Sequence, residues 1–505
     1  MNQLLLRADA GPQIGMGHVM RCLALAEPWL QADSAVTLLA AAPSPALCAH
    51  AESLGVSLHK LSTAPGSPAD VAETIALAQS LRAEWLVLDG YHFDAAFQRA
   101  VKAAGLRLLV FDDTAHAAHY SADFILNQNL GAAESLYPHR EPTTRLLLGP
   151  RFVQLRSEFL KDKAARSDSL APIGGEVRGE RASPTPHLLV TLGGSDPDNV
   201  TAQVLSILQT IPNFTADIIL GPANPHADAL RAAISHLPSS IFIHINPPNL
   251  PDLMSRADLA ICAGGTTAWE LSFLGVPMLV LALAENQRTN AERLDQAGAA
   301  IHANIASLAD DLRTLLADPP RRAQMSARAR ALVDGLGTFR VWLRLNEDSL
   351  HLRPATADDC RRFWEWANDP AVRANSFTSE PIPWEPHVAW FTRKLADANT
   401  RLWIAEQADA PLGQVRFDLD ASSATISVSL DATQRGRNLG ALLIWSACQK
   451  LFRESPVETI HAHIKPDNTA SIRAFKKAGF EPAGQTEVKG FAALRFALSR
   501  AATEP

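Results

Sequence analysis

The chain has 505 residues, 47% of them hydrophobic, and a formal net charge of −7. That length exceeds one ordinary domain and points to about three, while the negative balance excludes a general affinity for nucleic acid or anionic membrane. Five scattered cysteines without a CxxC pair (Cys22, Cys48, Cys262, Cys360 and Cys448) exclude a zinc ribbon and a disulfide framework.

In chain order, "QLLLRAD", "AVTLLAA", "WLVLDG" and "RLLVFDD" read as buried strands, each followed by an Ala- and Leu-rich helical stretch. This rhythm predicts an α/β region with a parallel sheet, residues 1–160. It breaks over 161–186, "KDKAARSDSLAPIGGEVRGERASPTP", whose polar composition predicts a flexible linker or insertion. It resumes over 187–345 with "HLLVTLGG", "ADIILG", "IFIHIN", "DLAICAGG" and "MLVLALA". Two such halves predict a substrate cleft between them. From 350 to 503 the pattern changes to one β-α opening, "LHLRPATADDCRRFWEWAND", then antiparallel-looking alternation in "TRLWIAEQ", "PLGQVRFDLD" and "ATISVSLD". No apolar run is long enough for a membrane span, and Met1 leads directly into a strand, so a cytoplasmic protein is expected.

The first specific motif is "DAGPQIGMGH", Asp9 to His18, at a strand-to-helix turn. Gly15 and Gly17 would let backbone approach a ligand at a helix N-terminus, where free N–H groups suit a phosphate. Alone, His18 reads more readily as a structural helix cap than as a catalytic base. The second half repeats the construction in "TLGGSDPDN", with Gly193, Gly194 and Ser195, and in "AGGTTAWELSFLGVPMLVLALAENQ". There Gly264, Gly265, Thr266 and Thr267 would place N–H and O–H donors around a diphosphate. Glu270, about one turn into the helix, is placed to accept the hydroxyls of a ribose, or else simply complements the helix dipole.

Together "RADAGPQIGMGHVMR", "LDGYHFD", "VFDDTA", "LLGPRFVQLRSEF", "GGSDPDN" and "GGTTAWE…NQ" resemble the UDP-sugar hydrolases of pseudaminic acid biosynthesis over about 1–338. The resemblance implies a GT-B fold, two Rossmann-like domains facing a cleft. The second would hold UDP, with Glu270 on the ribose, and the first would hold the sugar. It also implies that His18 is the general base that activates water at the anomeric carbon. Asp9 would orient that ring or hold a sugar hydroxyl, or else is simply a strand-end acid; Tyr91 and Asn286 would touch sugar or water, or else are a loop aromatic and a helix cap.

In the last block, "SVSLDATQRGRNLGALLIWSACQKL" places Leu430, Arg435, Gly436, Arg437, Asn438, Leu439 and Gly440 around a basic turn before a helix, as a pyrophosphate requires. "IHAHIKPDNTASIRAFKKAGFEP" puts Asn468, Ser471 and Phe475 on one helix face. This ordered pair resembles the GNAT acetyltransferases, an α+β fold, and implies that these residues bind acetyl-CoA. Within that family the likeness is to enzymes acetylating the 4-amino group of UDP-4-amino-4,6-dideoxy-N-acetyl-β-L-altrosamine. Asn438 stands where the family's turn has a glycine, and Phe475 stands where many members carry a tyrosine acid. All three tyrosines, Tyr91, Tyr120 and Tyr137, lie far upstream. His387, Glu380, Glu385 and Asp418 are candidates for the base that frees the acceptor amine, with His387 otherwise a packed histidine.

Neither "DDTAHAAH" (Asp112, Asp113, His116, His119) nor "HAH" (His461, His463) completes a ligand set, and no metal is expected. The two resemblances imply one bifunctional enzyme: acetylation of the UDP-linked amine, then hydrolysis of UDP-2,4-diacetamido-2,4,6-trideoxy-β-L-altropyranose. The expected partners are a UDP-sugar, acetyl-CoA and other enzymes of the same pathway. Two alternatives use the same motifs: a GT-B glycosyltransferase, or a non-catalytic nucleotide-sugar-binding protein, fused to an acetyltransferase-like domain.

Overall fold

The computed structural model describes residues 3–11, 14–161, 185–222, 224–234 and 240–502. The polar segment expected to be a linker, 161–186, lies outside them except at its ends. The chain divides into two compact units. One comprises Met1–Leu30 and Ser34–Thr338, the other Gln31–Asp33 and Phe339–Pro505.

The first unit holds two parallel sheets. Strands β1 (Gln3–Ala8), β2 (Ala35–Ala40), β3 (Ser57–Lys60), β4 (Trp85–Asp89), β5 (Leu108–Phe111), β6 (Phe124–Asn127) and β7 (Arg145–Leu148) lie in the order β3-β2-β1-β4-β5-β6-β7. Strands β8 (His187–Thr191), β9 (Thr215–Leu220), β10 (Ile241–Ile245), β11 (Leu259–Ala263), β12 (Met278–Leu281) and β13 (Ala300–Ala303) follow the order β10-β9-β8-β11-β12-β13. The central strands are predominantly apolar because helices cover both faces. Leu4, Leu5 and Leu6 of β1, for example, are fully buried. Strand order reverses between β1 and β4 in one sheet and between β8 and β11 in the other. Crevices at the carboxyl ends of such strand pairs are where doubly wound sheets bind ligands. The glycine motifs of the sequence occupy these ends: 11–17 follows β1, 192–199 follows β8, and Gly264–Gly265 follows β11.

The second unit is a seven-stranded mixed sheet of β14 (His351–Pro354), β15 (Thr400–Gln407), β16 (Ala410–Asp420), β17 (Ser423–Leu430), β18 (Thr459–Ile464), β19 (Glu481–Val488) and β20 (Phe491–Ser499), ordered β14-β15-β16-β17-β18-β20-β19. Only β17 and β18 pair in parallel, through Ser423–Thr459, Ala424–Ile460 and Thr425–His461. Beyond Thr425 they part, while β17 stays paired with β16 as far as Leu430. The unit starts earlier than the composition break at 345–350. Most of the Gly337–Leu345 helix sorts with it, and the Arg344 guanidinium lies 4.7 Å over the Trp445 ring. Among the described residues no helix is long and apolar enough to cross a membrane.

Candidate active sites

In the first unit the turn after β1 is closed by Gly11 and Gly15, whose backbones exchange hydrogen bonds of 3.2 and 2.8 Å. Gly15 sits at φ +71°, where a side chain would be strained. The Gly17–Gln31 helix follows and places His18, Arg21 and Cys22 on one face against β4. His18 Nδ1 lies 2.6 Å from Oδ1 of Asp89, the buried last residue of β4. So short a contact to a carboxylate assigns a proton to Nδ1, and in a neutral ring Nε2 is then the nitrogen that carries the free lone pair.

Asp89 is held in turn by Arg21, whose Nε and Nη2 reach its two oxygens at 2.5 and 2.7 Å. The Arg21 Nη1 reaches both oxygens of Asp113, at 3.0 and 2.8 Å, and Asn129 donates to Asp113 at 3.1 Å. Burial opposes ionisation of Asp89, yet the charge and hydrogen bonds of Arg21 and His18 hold its carboxyl well below the usual carboxylate range.

Asp9 does not orient His18, contrary to one of the two roles expected of it. Its Oδ1 meets Arg7 and the Ala41 N–H, both at 2.7 Å, and its Oδ2 faces His92 at 3.2 Å. It serves the buried Arg7, which also pairs with Asp70 at 2.9 Å. An arginine inside a buried strand requires that compensation.

Tyr91 and Asn286, far apart in sequence and in opposite halves of the unit, meet: the Asn286 amide donates to the Tyr91 hydroxyl at 2.8 Å. That hydroxyl lies 3.3 Å from Asp113, and the ring packs edge-on to His18 with centroids 5.3 Å apart. Partial burial and the Asp113 charge raise the Tyr91 pKa, so the phenol stays protonated. His18, Tyr91 and Asn286 therefore form one cluster spanning both halves.

The glycine turns converge on the same place. A Cβ on Gly17 would stand 3.8 Å from Thr266 Oγ1, and one on Gly194 would stand 3.3 Å from Met16. Gly194 is also backed by Gly221, so closely that a Cβ on Gly221 would fall 2.3 Å from the Gly194 carbonyl oxygen. Gly193 adopts φ +94°, and Ser195 is buried. Gly265 starts the Thr266–Leu274 helix, and no side chain caps it, so the leading N–H groups at Thr266 and Thr267 remain for a ligand. Gln287 Oε1 fixes the approach by accepting from the N–H groups of Gly264 (3.2 Å) and Leu283 (3.1 Å).

Glu270 is buried beside this turn, and Arg156, from the segment after β7, reaches its Oε1 through Nε at 3.0 Å and Nη2 at 2.9 Å. Burial pushes the Glu270 carboxyl up, and the Arg156 charge opposes that rise. A bidentate guanidinium on one oxygen leaves Oε2 as the oxygen available to a hydroxyl.

Arg21, Asp89 and Arg156 were not singled out from sequence, and Asp113 only as part of the "DDTAHAAH" run, although each lies inside a motif quoted above. The available signal for Arg21 was an arginine three residues after His18 on an otherwise apolar helix face. Among the described residues no group of three or more His, Cys, Asp and Glu side chains could hold a metal. The "DDTAHAAH" residues instead build a support: Asp112 accepts from the Tyr120 hydroxyl and from the N–H groups of Thr114 and Ala115.

In the second unit Asn438, standing where the family's turn has a glycine, takes the left-handed conformation, φ +59°, and precedes the Leu439–Glu454 helix. Gly436 is at φ +83°. The Leu430 methyls lie against Gly413 and Gly440, where a Cβ would stand 3.0 and 3.2 Å away. The expected donors are partly committed: Arg435 donates to Asp369 at 2.8 Å and Arg437 to Gln434 at 3.1 Å. Asn468 caps the Thr469–Lys477 helix by accepting from the Ser471 N–H at 3.1 Å. Phe475 is buried edge-on against Phe480.

His387 is a packed histidine rather than an available base. Only 3% exposed, it stacks with Trp384 and Phe391, and its Nε2 lies 3.1 Å from the Cys360 carbonyl. Asp418 is bound by Lys394 at 2.7 Å and Arg416 at 3.0 Å, so it is likewise committed.

Comparison with known proteins agrees with this architecture. The profile of the "Acetyltransferase (GNAT) domain" matches residues 349–481, and that of the "Glycosyltransferase family 28 C-terminal domain" matches 226–335. An uncharacterized protein of Methanocaldococcus jannaschii is 23% identical over 95% of this chain and 96% of its own length. The spore coat polysaccharide biosynthesis protein SpsG of Bacillus subtilis is 28% identical over 66% of this chain and 95% of its own. The UDP-2,4-diacetamido-2,4,6-trideoxy-beta-L-altropyranose hydrolase of Campylobacter jejuni is 23% identical over 59% of this chain and 97% of its own. The chain is a fusion of a GT-B-like unit, homologous to SpsG and to that hydrolase, with a C-terminal GNAT acetyltransferase domain.

Proposed function

We propose that the chain is a bifunctional, cytoplasmic nucleotide-sugar enzyme of pseudaminic acid biosynthesis. Its GNAT domain transfers acetyl from acetyl-CoA to the 4-amine of UDP-4-amino-4,6-dideoxy-N-acetyl-β-L-altrosamine. Its GT-B-like unit hydrolyses the diacetamido product to UDP and free sugar, without a metal. The observation that carries the hydrolytic half is the His18–Asp89 pair beside the Tyr91–Asn286 contact.

In this reading the N–H groups of Thr266 and Thr267, which follow the Gly264–Gly265 turn, hold the diphosphate and Glu270 Oε2 accepts from the ribose. Arg156 keeps that carboxylate ionised and aimed. His18 Nε2 takes a proton from water, the water oxygen bonds to the anomeric carbon, and the bond from that carbon to the UDP oxygen breaks. Asp89 stabilises the imidazolium so formed, as a buried carboxylate does in acyl-transfer triads. Held by helix N–H groups, UDP departs as an anion without a strong acid. Tyr91 and Asn286 contact the sugar or the attacking water.

The acetyltransferase half draws support from the divergence of β17 and β18. It leaves the β17 backbone from Ile426 to Leu430 unpaired on one edge, next to the Arg435–Gly440 turn. A pantetheine arm carrying amides can pair with such an edge as an added strand does. The test of both halves is one incubation of the full chain with acetyl-CoA and the UDP-4-amino sugar, following CoA thiol and UDP by mass spectrometry. Both products should accumulate, thiol first. Failure to release thiol removes the transferase assignment, and failure to release UDP removes the hydrolase one.

A further inference from the structure

We propose that His463, backed by His461, is the proton acceptor that frees the attacking amine in acetyl transfer; this deepens the GNAT reading above and rests on it. The four candidates suggested by sequence do not serve equally. His387 and Asp418 are committed to packing and ion pairs, and Glu380 and Glu385 are exposed. The domain holds no tyrosine.

Strand register places the histidines instead. His461 pairs with Thr425, the last contact before β17 and β18 diverge, and His463 is the next residue of β18 on the same face. That face continues through Ser427 and Ser429 on β17 and through Arg416 and Gln414 opposite them on β16. The same face carries Leu402 of β15, on which Phe363, Trp366 and Phe391 pack. His463 thus stands just past the closed end of the gap, where an acetyl group carried in along β17 would stop. Among the described residues the His461 Nδ1 is buried without a hydrogen-bond partner. A buried imidazole nitrogen left unpaired has a cost that a proton relay or a substrate contact would offset.

The charged and titratable groups around His463 on this face are His461 on its own strand, Arg495 directly across on β20, and Arg416 and Asp418 on β16. Burial, with added positive charge from His461 and Arg495, lowers the His463 pKa, which keeps the ring neutral and able to accept a proton at neutral pH. In the step proposed, the substrate ammonium gives one proton to the imidazole. The amine nitrogen then bonds to the thioester carbonyl carbon, and the C–S bond breaks. The second proton lost from nitrogen leaves with CoA as its thiol, and the imidazolium returns its proton to solvent.

The test uses His463→Gln, His461→Gln and the double variant in the full chain, with acetyl-CoA affinity by calorimetry as the check on folding. With affinity unchanged, kcat for thiol release at pH 7 should fall at least about a hundredfold in His463→Gln, with less effect on KM. The wild-type rate should decline below an apparent imidazole pKa, and the variant should lose that limb and recover as pH rises and the free amine becomes abundant. Variants with near-normal kcat and an unchanged pH profile would overturn the inference alone. Absence of acetyl transfer by the wild-type chain would overturn the transferase reading and this inference with it.

Discussion

His18 Nδ1 and Asp89 Oδ1 lie 2.6 Å apart, with Asp89 fully buried and His18 13% exposed. This pairing leaves one ring nitrogen to the site and fixes which one. Asp89→Asn offers an amide where the carboxylate was and no longer holds the proton on Nδ1. The expected result is a fall in kcat of about 10²–10⁴-fold with UDP affinity nearly unchanged, measured by steady-state kinetics and calorimetry.

Arg21 bridges Asp89 and Asp113 from a buried position, so Arg21→Leu should leave two carboxylates without their cation. Breaking a buried pair in this way costs about 3–5 kcal/mol, visible in urea unfolding followed by circular dichroism. The same network sets an acid limit. Asp9 and Asp89 both have pKa values below their unfolded ones, because Arg7, His92, Arg21 and His18 outweigh burial. Their stabilisation is complete above about pH 4, the unfolded carboxylate value, and is lost as pH falls below it. Stability should therefore be flat from pH 5 to 7 with respect to these groups and drop steeply under pH 4.

Arg156 and Glu270 make a third case. Arg156→Ala should weaken UDP binding by about tenfold, the effect of one charge-assisted contact of roughly 1.4 kcal/mol. Without the guanidinium, burial raises the Glu270 carboxyl further, so the loss should shrink as pH rises from 6 to 8. Titration of UDP into the variant at several pH values measures both effects.

The helix-start asparagine of the GNAT domain can be tested by shape. Asn438 sits at φ +59°, where a β-branched side chain is strained by about 1–2 kcal/mol. Asn438→Val should lower acetyl-CoA affinity about tenfold. Asn438→Gly keeps the backbone, loses the 2.7 Å bond from Lys477 and the 2.9 Å bond to Gln31, and should stay within about threefold of wild type.

The strands buried on both faces were legible because they contain continuous apolar runs, the "LLL" of β1 and "LAICA" of β11 among them. The edge strand "SLHK" was not, since only Leu58 is even half-buried and its composition resembles a loop. Glycine turns could be placed at strand ends from sequence because the backbone conformations they need exclude most other residues. The partners of the chemically active side chains could not. Asp89 is 71 residues from His18 and Arg156 is 114 from Glu270, and only the sheet order brings them together. Asp9 was the nearer carboxylate in sequence, but the buried Arg7 beside it claims its charge. His387 shows the converse: its motif setting suggested chemistry, while the Trp384 and Phe391 rings around it make it part of the core.

The most direct measurement is hydrolysis of UDP-2,4-diacetamido-2,4,6-trideoxy-β-L-altropyranose in ¹⁸O-water by the wild-type chain and by His18→Ala, read by mass spectrometry. The account predicts label in the free sugar and none in UDP, with release slowed at least about a hundredfold in the variant despite retained UDP binding. Label in the UDP phosphate, or equal turnover without the imidazole, would contradict it.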